Sequence, residues 1–148
     1  MKKILIIILA VASFAACKTS DKKTAGIQMS KEEKDKVLYD SANYTTIQWL
    51  DSTYLDLGKV KDGKQVEVSF RFRNSGTKNL IITDVTASCG CTVPERPGQA
   101  FAPGQEGVIK AKFDSKGRPH AVNRKEVYVT ANTLEKSHVL TFSVEITD

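Results

Sequence analysis

Two cysteines separated by a single glycine, Cys89 and Cys91, are the residues of this 148-residue chain best suited to chemistry. In an extended strand, residues i and i+2 face the same side and their Cα atoms lie about 6.5 Å apart. Disulfides need a Cα separation of about 4.4–6.8 Å. Because glycine tolerates backbone conformations that other residues avoid, Gly90 can bend the chain and bring the two sulfur atoms within bonding reach.

Three roles for this pair stay open. The first is structural, as two small buried thiols or as a local bridge, and we favour it. The second is binding of a soft metal such as Cu(I) or zinc. Tetrahedral zinc needs about two more ligands, and only His120, His138 and carboxylates without a recognisable spacing could supply them. The third is redox chemistry, because a disulfide that closes a short, strained loop is comparatively oxidising.

No pattern in the sequence predicts catalysis. His120 in a Gly-Arg-Pro-His turn and His138 at a strand start lack a nucleophile or base at a suitable spacing. Trp49 is expected to be an edge or core aromatic rather than a platform for a ligand. The sequence has no glycine-rich phosphate loop and no metalloprotease or hydrolase motif. We therefore predict no enzyme, no cofactor and no small-molecule substrate.

The N-terminus predicts where the protein works. Two lysines precede an apolar run over residues 4–16, which ends at Cys17. A membrane-spanning helix needs about 20 apolar residues, so this shorter run indicates a secretory signal peptide over residues 1–16. Residues 14–17, Phe-Ala-Ala-Cys, resemble a bacterial lipobox with phenylalanine where leucine is commoner. We predict a lipid on Cys17 and a location in the bacterial cell envelope, with the outer membrane as the expected membrane.

Residues 17–44 are predicted to be a polar tether between the lipid and the fold. Ser30 and Glu33 have the spacing of a capping box, which would start a short helix through Tyr39. The segment has too few apolar residues to bury a face, so we expect a flexible spacer with a nascent helix. The triplets Asp-Ser-Ala at Ser41 and Asp-Ser-Thr at Ser52 match a bacterial O-glycosylation pattern that is short enough to occur by chance.

Residues 45–148 change to a hydrophobic period of two, which is typical of half-buried strands. Turn signals rich in Gly, Pro and Asn separate six or seven short strands. Alternation of apolar and charged residues favours antiparallel pairing, so we predict an all-β, immunoglobulin-like sandwich. The expected core residues are Val66, Val68, Phe70, Phe72, Leu80, Ile82, Phe113, Val127, Val129, Leu140, Phe142, Val144 and Ile146.

Short motifs along residues 57–147 carry a family resemblance. They are Leu57-Gly58-Lys59-Val60, Phe70-Arg71-Phe72-Arg73-Asn74-Ser75-Gly76, Leu80-Ile81-Ile82-Thr83-Asp84-Val85, Ser88-Cys89-Gly90-Cys91-Thr92-Val93-Pro94, Pro103-Gly104-Gln105 and Val129-Thr130-Ala131-Asn132. In these the chain resembles a bacterial family of exported proteins, the domain of unknown function 1573. The resemblance implies an immunoglobulin-like Greek-key sandwich of the kind found in pilus chaperones, and it implies no catalytic activity.

The charge pattern argues against a nucleic-acid partner. The formal net charge is +5, but the basic residues are interleaved with acidic ones and form no basic stripe. We expect a non-enzymatic, membrane-anchored module that binds or scaffolds an envelope protein through sheet edges or end loops. The loop over residues 92–107, with Arg96, Gln99 and Phe101, is the predicted contact surface. A copper or zinc module, or a thiol-redox module using Cys89 and Cys91, is the alternative.

Overall fold

The computed structural model describes residues 29–148, and within them the chain forms eight strands and two short helices. The helices are α1 (Lys31–Tyr39) and a 3₁₀ helix (Ser41–Asn43), and the strands are β1 (Ile47–Trp49), β2 (Tyr54–Lys61), β3 (Gln65–Asn74), β4 (Ile82–Ala87), β5 (Thr92–Glu95), β6 (Glu106–Asp114), β7 (Val122–Ala131) and β8 (Ser137–Thr147). The predicted signal peptide, Cys17 and the start of the predicted tether lie outside the described residues.

The strands form two four-stranded sheets packed face to face. Their orders are β1-β3-β6-β5 and β2-β8-β7-β4. This confirms the predicted all-β sandwich, with eight strands where six or seven were expected. The prediction of antiparallel pairing is wrong for one pair, because β2 runs parallel to β8.

The parallel pair arises because one stretch of chain contributes to both sheets. Strand β1 pairs with β3 in the first sheet, and β2 then crosses to β8 in the second. At the crossing, the Asp51 carboxylate accepts a hydrogen bond from the Arg71 N–H at 2.8 Å and bonds the Arg71 guanidinium. This side chain replaces the next backbone partner of β3, so it ends the first pairing where the chain leaves the sheet.

The core lies between the two sheets and follows the alternation seen in the sequence. In β3, Val68, Phe70 and Phe72 point inward and are at most 2% exposed, while their neighbours along the strand are exposed. All the other predicted core residues are buried too, except Val66, which is partly exposed. Each fully buried large apolar side chain contributes about 1.5–3 kcal/mol, so this core holds the sandwich together.

One end of the sandwich is organised around the buried side chain of Asn74. Its amide nitrogen donates to the carbonyls of Lys78 at 2.7 Å and Phe101 at 2.8 Å. Its amide oxygen accepts from the Thr45 hydroxyl at 2.8 Å and from the Gly76 N–H at 3.1 Å. A Cβ atom on Gly76 would lie 2.3 Å from the Thr45 hydroxyl oxygen, so a side chain there would break the network.

A second buried asparagine, Asn132, completes the same end. Its amide oxygen accepts from the Ile81 N–H at 2.7 Å, and its amide nitrogen donates to the carbonyls of Asn43 at 2.8 Å and Asn79 at 2.9 Å. Its backbone carbonyl accepts from the Thr45 N–H. Buried amides need such partners, because an unpaired one costs about 1–3 kcal/mol. We call this the asparagine end, and the opposite end, which carries Cys89 and Cys91, the disulfide end.

Candidate functional site

The two cysteines singled out in the sequence are joined in a disulfide. Cys89 and Cys91 have Cα atoms 5.2 Å apart, inside the range that a bridge needs. They lie in the connection from β4 to β5, where the chain passes from one sheet to the other. Backbone hydrogen bonds hold the chain on both sides, since the Ser88 N–H donates to a β7 carbonyl and the Cys91 carbonyl accepts from the β6 residue Asp114.

The two sulfur atoms differ in their surroundings. Cys91 is only 6% exposed and belongs to the core, whereas Cys89 is partly exposed at the surface of the disulfide end. The Thr92 hydroxyl lies 3.7 Å from the Cys89 sulfur and 4.0 Å from the Cys91 sulfur. Beside the bridge is an open cleft of about 280 Å³, whose wall includes Gly90, Cys91 and Lys112. Residues 29–148 contain no group of three or more His, Cys, Asp or Glu placed to hold a metal ion.

The predicted contact loop is only partly a loop. Residues Thr92–Glu95 form strand β5, which pairs with β6. The prediction that Phe101 is a contact residue is wrong, because Phe101 is 3% exposed. Its ring packs edge-to-face on Phe72 with centroids 4.9 Å apart, and its backbone pairs with that of Leu80. Phe101 therefore anchors the loop to the core.

The remaining two predicted contact residues, Arg96 and Gln99, border a groove at the asparagine end. The groove has a volume of about 360 Å³ and lies between α1 and the sandwich. Met29 and Val37 line it on the side of α1, and Ile81, Ile82 and residues 98–100 line it on the side of the sandwich. Grooves of this size with an apolar lining and a few polar groups at the rim are typical of binding sites.

Helix α1, which makes one wall of the groove, begins as the sequence predicts. The Ser30 hydroxyl accepts from the Glu33 N–H, and the Glu33 carboxylate accepts from the Ser30 N–H at 2.8 Å. This is a complete capping box. The hydrogen bond from the Ser30 N–H lowers the pKa of the Glu33 carboxyl below its usual value.

A cation held between two tyrosines attaches the end of α1 to the sandwich. The Lys136 ammonium lies 5.3 Å from the ring centre of Tyr39 and 5.1 Å from that of Tyr44. The Tyr44 hydroxyl donates to the Leu38 carbonyl at 2.9 Å. Such cation–π contacts contribute about 0.5–1 kcal/mol each at exposed sites. This part of the predicted spacer therefore lies against the sandwich, although α1 itself has no buried residue.

Many charged side chains lie on the outer face of the β1-β3-β6-β5 sheet. Its side chains pair across strands, with Arg73 on Glu106 and Lys110 on Glu67. Arg71 pairs with Asp51, and this guanidinium lowers the pKa of the Asp51 carboxyl. Exposed pairs of this kind contribute little to stability. They interleave the two signs of charge over this face.

The outer edges of the sandwich have local hydrogen-bond partners for their backbone. On β4 the Val85 N–H donates to the Asp84 carboxylate, and on β2 the Gly58 N–H donates to the Asp56 carboxylate. Strand β5 includes Pro94, which has no N–H. Addition of a partner strand needs unpaired backbone groups along an edge. At these positions the edges offer no unpaired N–H to a partner strand.

The two histidines lie apart from each other, and one of them contacts the tryptophan. His120 is half-exposed and lies 2.8 Å from the Asp148 carboxylate. His138 is half-buried, with its ring 6.0 Å from that of Trp49 and its Nε2 atom 2.9 Å from the Thr133 hydroxyl. Burial lowers the pKa of His138 below its usual value. Neither histidine is brought to the disulfide.

Known structures share the immunoglobulin-like sandwich architecture of this chain. The PapD-like domain 7 of human CEP192 matches with a TM-score of 0.57 at 9% identity, over 72% of this chain and 88% of that domain. The periplasmic chaperone SfaE matches with a TM-score of 0.50 at 13% identity, over 70% of this chain and 59% of SfaE. Likeness at this level of identity shows the fold alone.

The family follows from the sequence match. Residues 47–146 match the model of DUF1573, described as a protein of unknown function, and the chain belongs to this family. A protein of unknown function from Porphyromonas gingivalis W83 matches with a TM-score of 0.60 at 22% identity, and the match covers 71% of this chain and 48% of that protein. The chain thus spans about half the length of that relative. No curated protein matches the chain.

Sequence reasoning missed the residues that shape the groove. Asn74 and Asn132 stand in the family motifs, but the sequence gives no sign of their role, since their partners come from distant segments. The contact of Lys136 with Tyr39 and Tyr44 joins segments about 90 residues apart and has no local pattern either. No helix among residues 29–148 is long and apolar enough to cross a membrane.

Proposed function

We propose that this protein is a lipid-anchored binding module of the bacterial envelope, which acts without catalysis. The observation that carries the proposal is the groove of about 360 Å³ between α1 and the sandwich. Its walls come from two separate parts of the chain, and Asn132 and the tyrosine-held Lys136 fix their relative positions. In this proposal the partner protein binds in the groove and does not add a strand at a sheet edge.

The expected ligand is an apolar peptide segment that carries a carboxylate. Val37, Ile81 and Ile82 give the groove an apolar lining that suits one or two aliphatic side chains. Lys36 and Arg96 bring two positive charges to the groove and Glu33 brings one negative charge, and the Arg96 guanidinium donates to the Ile82 carbonyl at 3.3 Å. The Glu33 carboxylate is turned to the start of α1, where it accepts from the Ser30 N–H. Charge complementarity therefore favours an acidic flank on the bound segment.

The groove would work close to the membrane. Met29 lines the groove, and only eleven residues lie between it and Cys17. A chain of that length spans at most about 40 Å when it is fully extended. A lipid on Cys17 would thus hold the groove near the bilayer surface, where segments of other envelope proteins are its natural partners.

A peptide-binding measurement tests the groove. The full chain, reconstituted in lipid nanodiscs, is titrated with a fluorescent octapeptide of alternating Leu and Asp, and with a matched peptide of alternating Leu and Lys. We expect the acidic peptide to bind at least about tenfold more tightly, which corresponds to about 1.4 kcal/mol, because several charge contacts change sign between the two peptides. Equal binding of the two peptides would contradict the proposed charge preference.

A pair of matched variants locates the binding. Val37→Asp places a carboxylate in the groove, and it should weaken binding of the acidic peptide by about tenfold or more. Val122→Asp makes the same change at the disulfide end, where Val122 is 68% exposed, and should leave binding unchanged. Both side chains are on the surface of their elements, so the circular dichroism spectra should be native. Equal loss in both variants would show that the groove is not the site.

Cell fractionation tests the anchor. The full-length protein should sediment with the membrane, and Cys17→Ser should move it to the soluble fraction, because a diacylated protein loses its lasting hold without the acyl chains. Cys89→Ser is the matched control and should stay in the membrane fraction. A Cys17→Ser protein that still sediments with the membrane would overturn the lipid anchor.

A further inference from the structure

We infer that the Cys89–Cys91 disulfide is an exchangeable redox site, which accepts two electrons from the dithiol of another protein. The inference is independent of the proposed groove, because the two lie at opposite ends of the sandwich. Three features of the disulfide end carry it: unequal access to the two sulfur atoms, backbone hydrogen bonds that hold the turn around the bridge, and a hydroxyl placed between the sulfur atoms.

Access to the bridge is one-sided. Cys89 is partly exposed, whereas Cys91 is 6% exposed and packs in the core. Gly90, between them, has no other atoms within 4 Å of where a Cβ would stand. The cleft of about 280 Å³ that adjoins the turn is lined by Cys91, Val93 and Lys112 and not by Cys89, so the approach to Cys89 is over its own exposed surface. An attacking thiol therefore reaches Cys89, and Cys91 is the leaving group.

Backbone hydrogen bonds hold the turn around the bridge. The Ser88 N–H donates to the Glu126 carbonyl at 2.9 Å, and the Asp114 N–H donates to the Cys91 carbonyl at 2.9 Å. The Thr92 N–H also donates to the Cys89 carbonyl across the turn. These bonds hold both cysteines in place when the sulfur–sulfur bond opens. Because the bridge closes a loop of only three residues, it also restricts the unfolded chain very little.

The Thr92 hydroxyl lies within hydrogen-bonding reach of both sulfur atoms. It is 3.7 Å from the Cys89 sulfur and 4.0 Å from the Cys91 sulfur, and the residue is 4% exposed. A hydroxyl can donate one hydrogen bond at a time and can rotate to suit. It can donate to whichever sulfur becomes the thiolate, and this lowers the barrier to releasing Cys91.

The exchange balances as follows. A thiolate of the partner attacks the Cys89 sulfur, the Cys89–Cys91 bond breaks, and its electron pair leaves on Cys91. The second thiol of the partner loses its proton and attacks the partner's sulfur in the mixed disulfide, which releases Cys89 as a thiolate. The partner is oxidised to a disulfide and gives up two electrons and two protons. Cys89 and Cys91 take up these two electrons and two protons and become thiols.

A redox titration tests the inference on the wild-type full chain. The protein is equilibrated in buffers with increasing ratios of reduced to oxidised glutathione and quenched with an alkylating agent. The peptide containing both cysteines is then weighed by mass spectrometry. We expect a reversible transition from no added alkyl groups to two, with an unchanged circular dichroism spectrum. A bridge that stays oxidised at every ratio, or reduction that unfolds the domain, would overturn the inference.

Single-cysteine variants test the direction of attack. Cys91→Ser leaves Cys89 free, and the peptide that contains residue 89 should form a mixed disulfide with oxidised glutathione at least about ten times faster than the same peptide of Cys89→Ser does, because exposure governs thiol access; Cys17, which both variants keep, lies in a different peptide. Equal rates would show that the two sulfur atoms are interchangeable. Thr92→Val should slow reduction of the wild-type bridge about fivefold by removing the hydrogen bond to the leaving thiolate. An unchanged rate in that variant would remove Thr92 from the mechanism.

Discussion

The two ends of the sandwich are held together by different means. At the asparagine end, two buried amides bind segments that are far apart in the chain, including the 3₁₀ helix and the loop that holds Phe101. At the disulfide end, backbone hydrogen bonds and a covalent bridge across one residue hold the turn from β4 to β5. Strand β3 spans the distance between the ends with ten residues, which is about 30 Å.

Because of this difference, the asparagine end suits a groove of fixed shape and the disulfide end suits a redox site. A groove with a defined shape needs walls that cannot shift relative to each other, and the buried amides of Asn74 and Asn132 supply this because breaking any of their bonds is costly. A redox site must change covalently without loss of fold, and a three-residue bridge flanked by backbone bonds meets that need. The comparison predicts that the asparagine end is fragile to substitution and that the disulfide end is tolerant.

The largest effect is expected within the loop at the asparagine end. Phe101→Ala should lower the free energy of unfolding by about 3–5 kcal/mol, the usual cost of emptying a buried phenylalanine site. Gln99→Ala, two residues earlier and exposed, should change it by less than about 0.5 kcal/mol. Urea denaturation of the two variants checks this. Equal stabilities would mean that Phe101 is a surface residue after all.

The second effect compares one asparagine at each end. Asn132→Ala leaves the Ile81 N–H and the Asn43 and Asn79 carbonyls without their partner, and should cost about 3 kcal/mol. Asn123→Ala at the disulfide end releases two carbonyls that lie close to solvent in the turn before β7, and should cost about 1 kcal/mol. Urea denaturation of the two variants measures both losses of stability. If Asn123→Ala were the more damaging change, the contrast between the ends would be wrong.

The third effect is loss of the bridge. Cys89→Ser/Cys91→Ser should lower the free energy of unfolding by only about 1.5 kcal/mol, as the chain-entropy account gives for a three-residue loop. Binding of the acidic peptide at the other end should not change. A loss of more than twice that size, or loss of peptide binding, would show that the bridge is structural for the whole domain.

The parts of the fold that were predictable are those encoded by neighbouring residues. The alternation in β3 and β8 identified the core, since a period of two directly reports which face is buried. The capping box of Ser30 and Glu33 placed the start of α1, since both hydrogen bonds join residues three apart. The Cys89–Cys91 pair could be judged from strand geometry, although its redox role could not.

The parts that were missed depend on contacts between distant segments. Phe101 lies in a stretch rich in Pro and Gly with no periodicity, so its place against Phe72 follows only from the packed sandwich. Strand β5 has four residues and includes Pro94, which weakens any strand signal. The groove itself needs α1 to lie on β4, and that placement depends on Lys136 and Asn132, whose partners no local pattern reveals.

The smallest effect concerns His138, near the asparagine end. Burial lowers the pKa of this histidine in the folded state, and the charge of Glu135 only partly opposes it. The unfolded chain therefore binds more protons than the folded one between the ordinary histidine pKa of about 6.5 and the lowered value. The contribution of His138 to stability is fully present above that range and is lost as the pH falls through it.

Trp49 gives a direct measurement of this titration, because its ring lies 6.0 Å from that of His138. The fluorescence of folded protein should change on acidification with a midpoint below about 6.5, and the free energy of unfolding should decline over the same range. His138→Gln keeps a polar side chain next to Thr133 and should abolish both changes. His120→Gln, which replaces the exposed partner of Asp148, is the control and should leave both changes as they are in the wild type. A midpoint at or above the ordinary histidine value would mean that the ring is hydrated, and that Trp49 on β1 packs more loosely against His138 on β8 than the 6.0 Å separation of their rings implies.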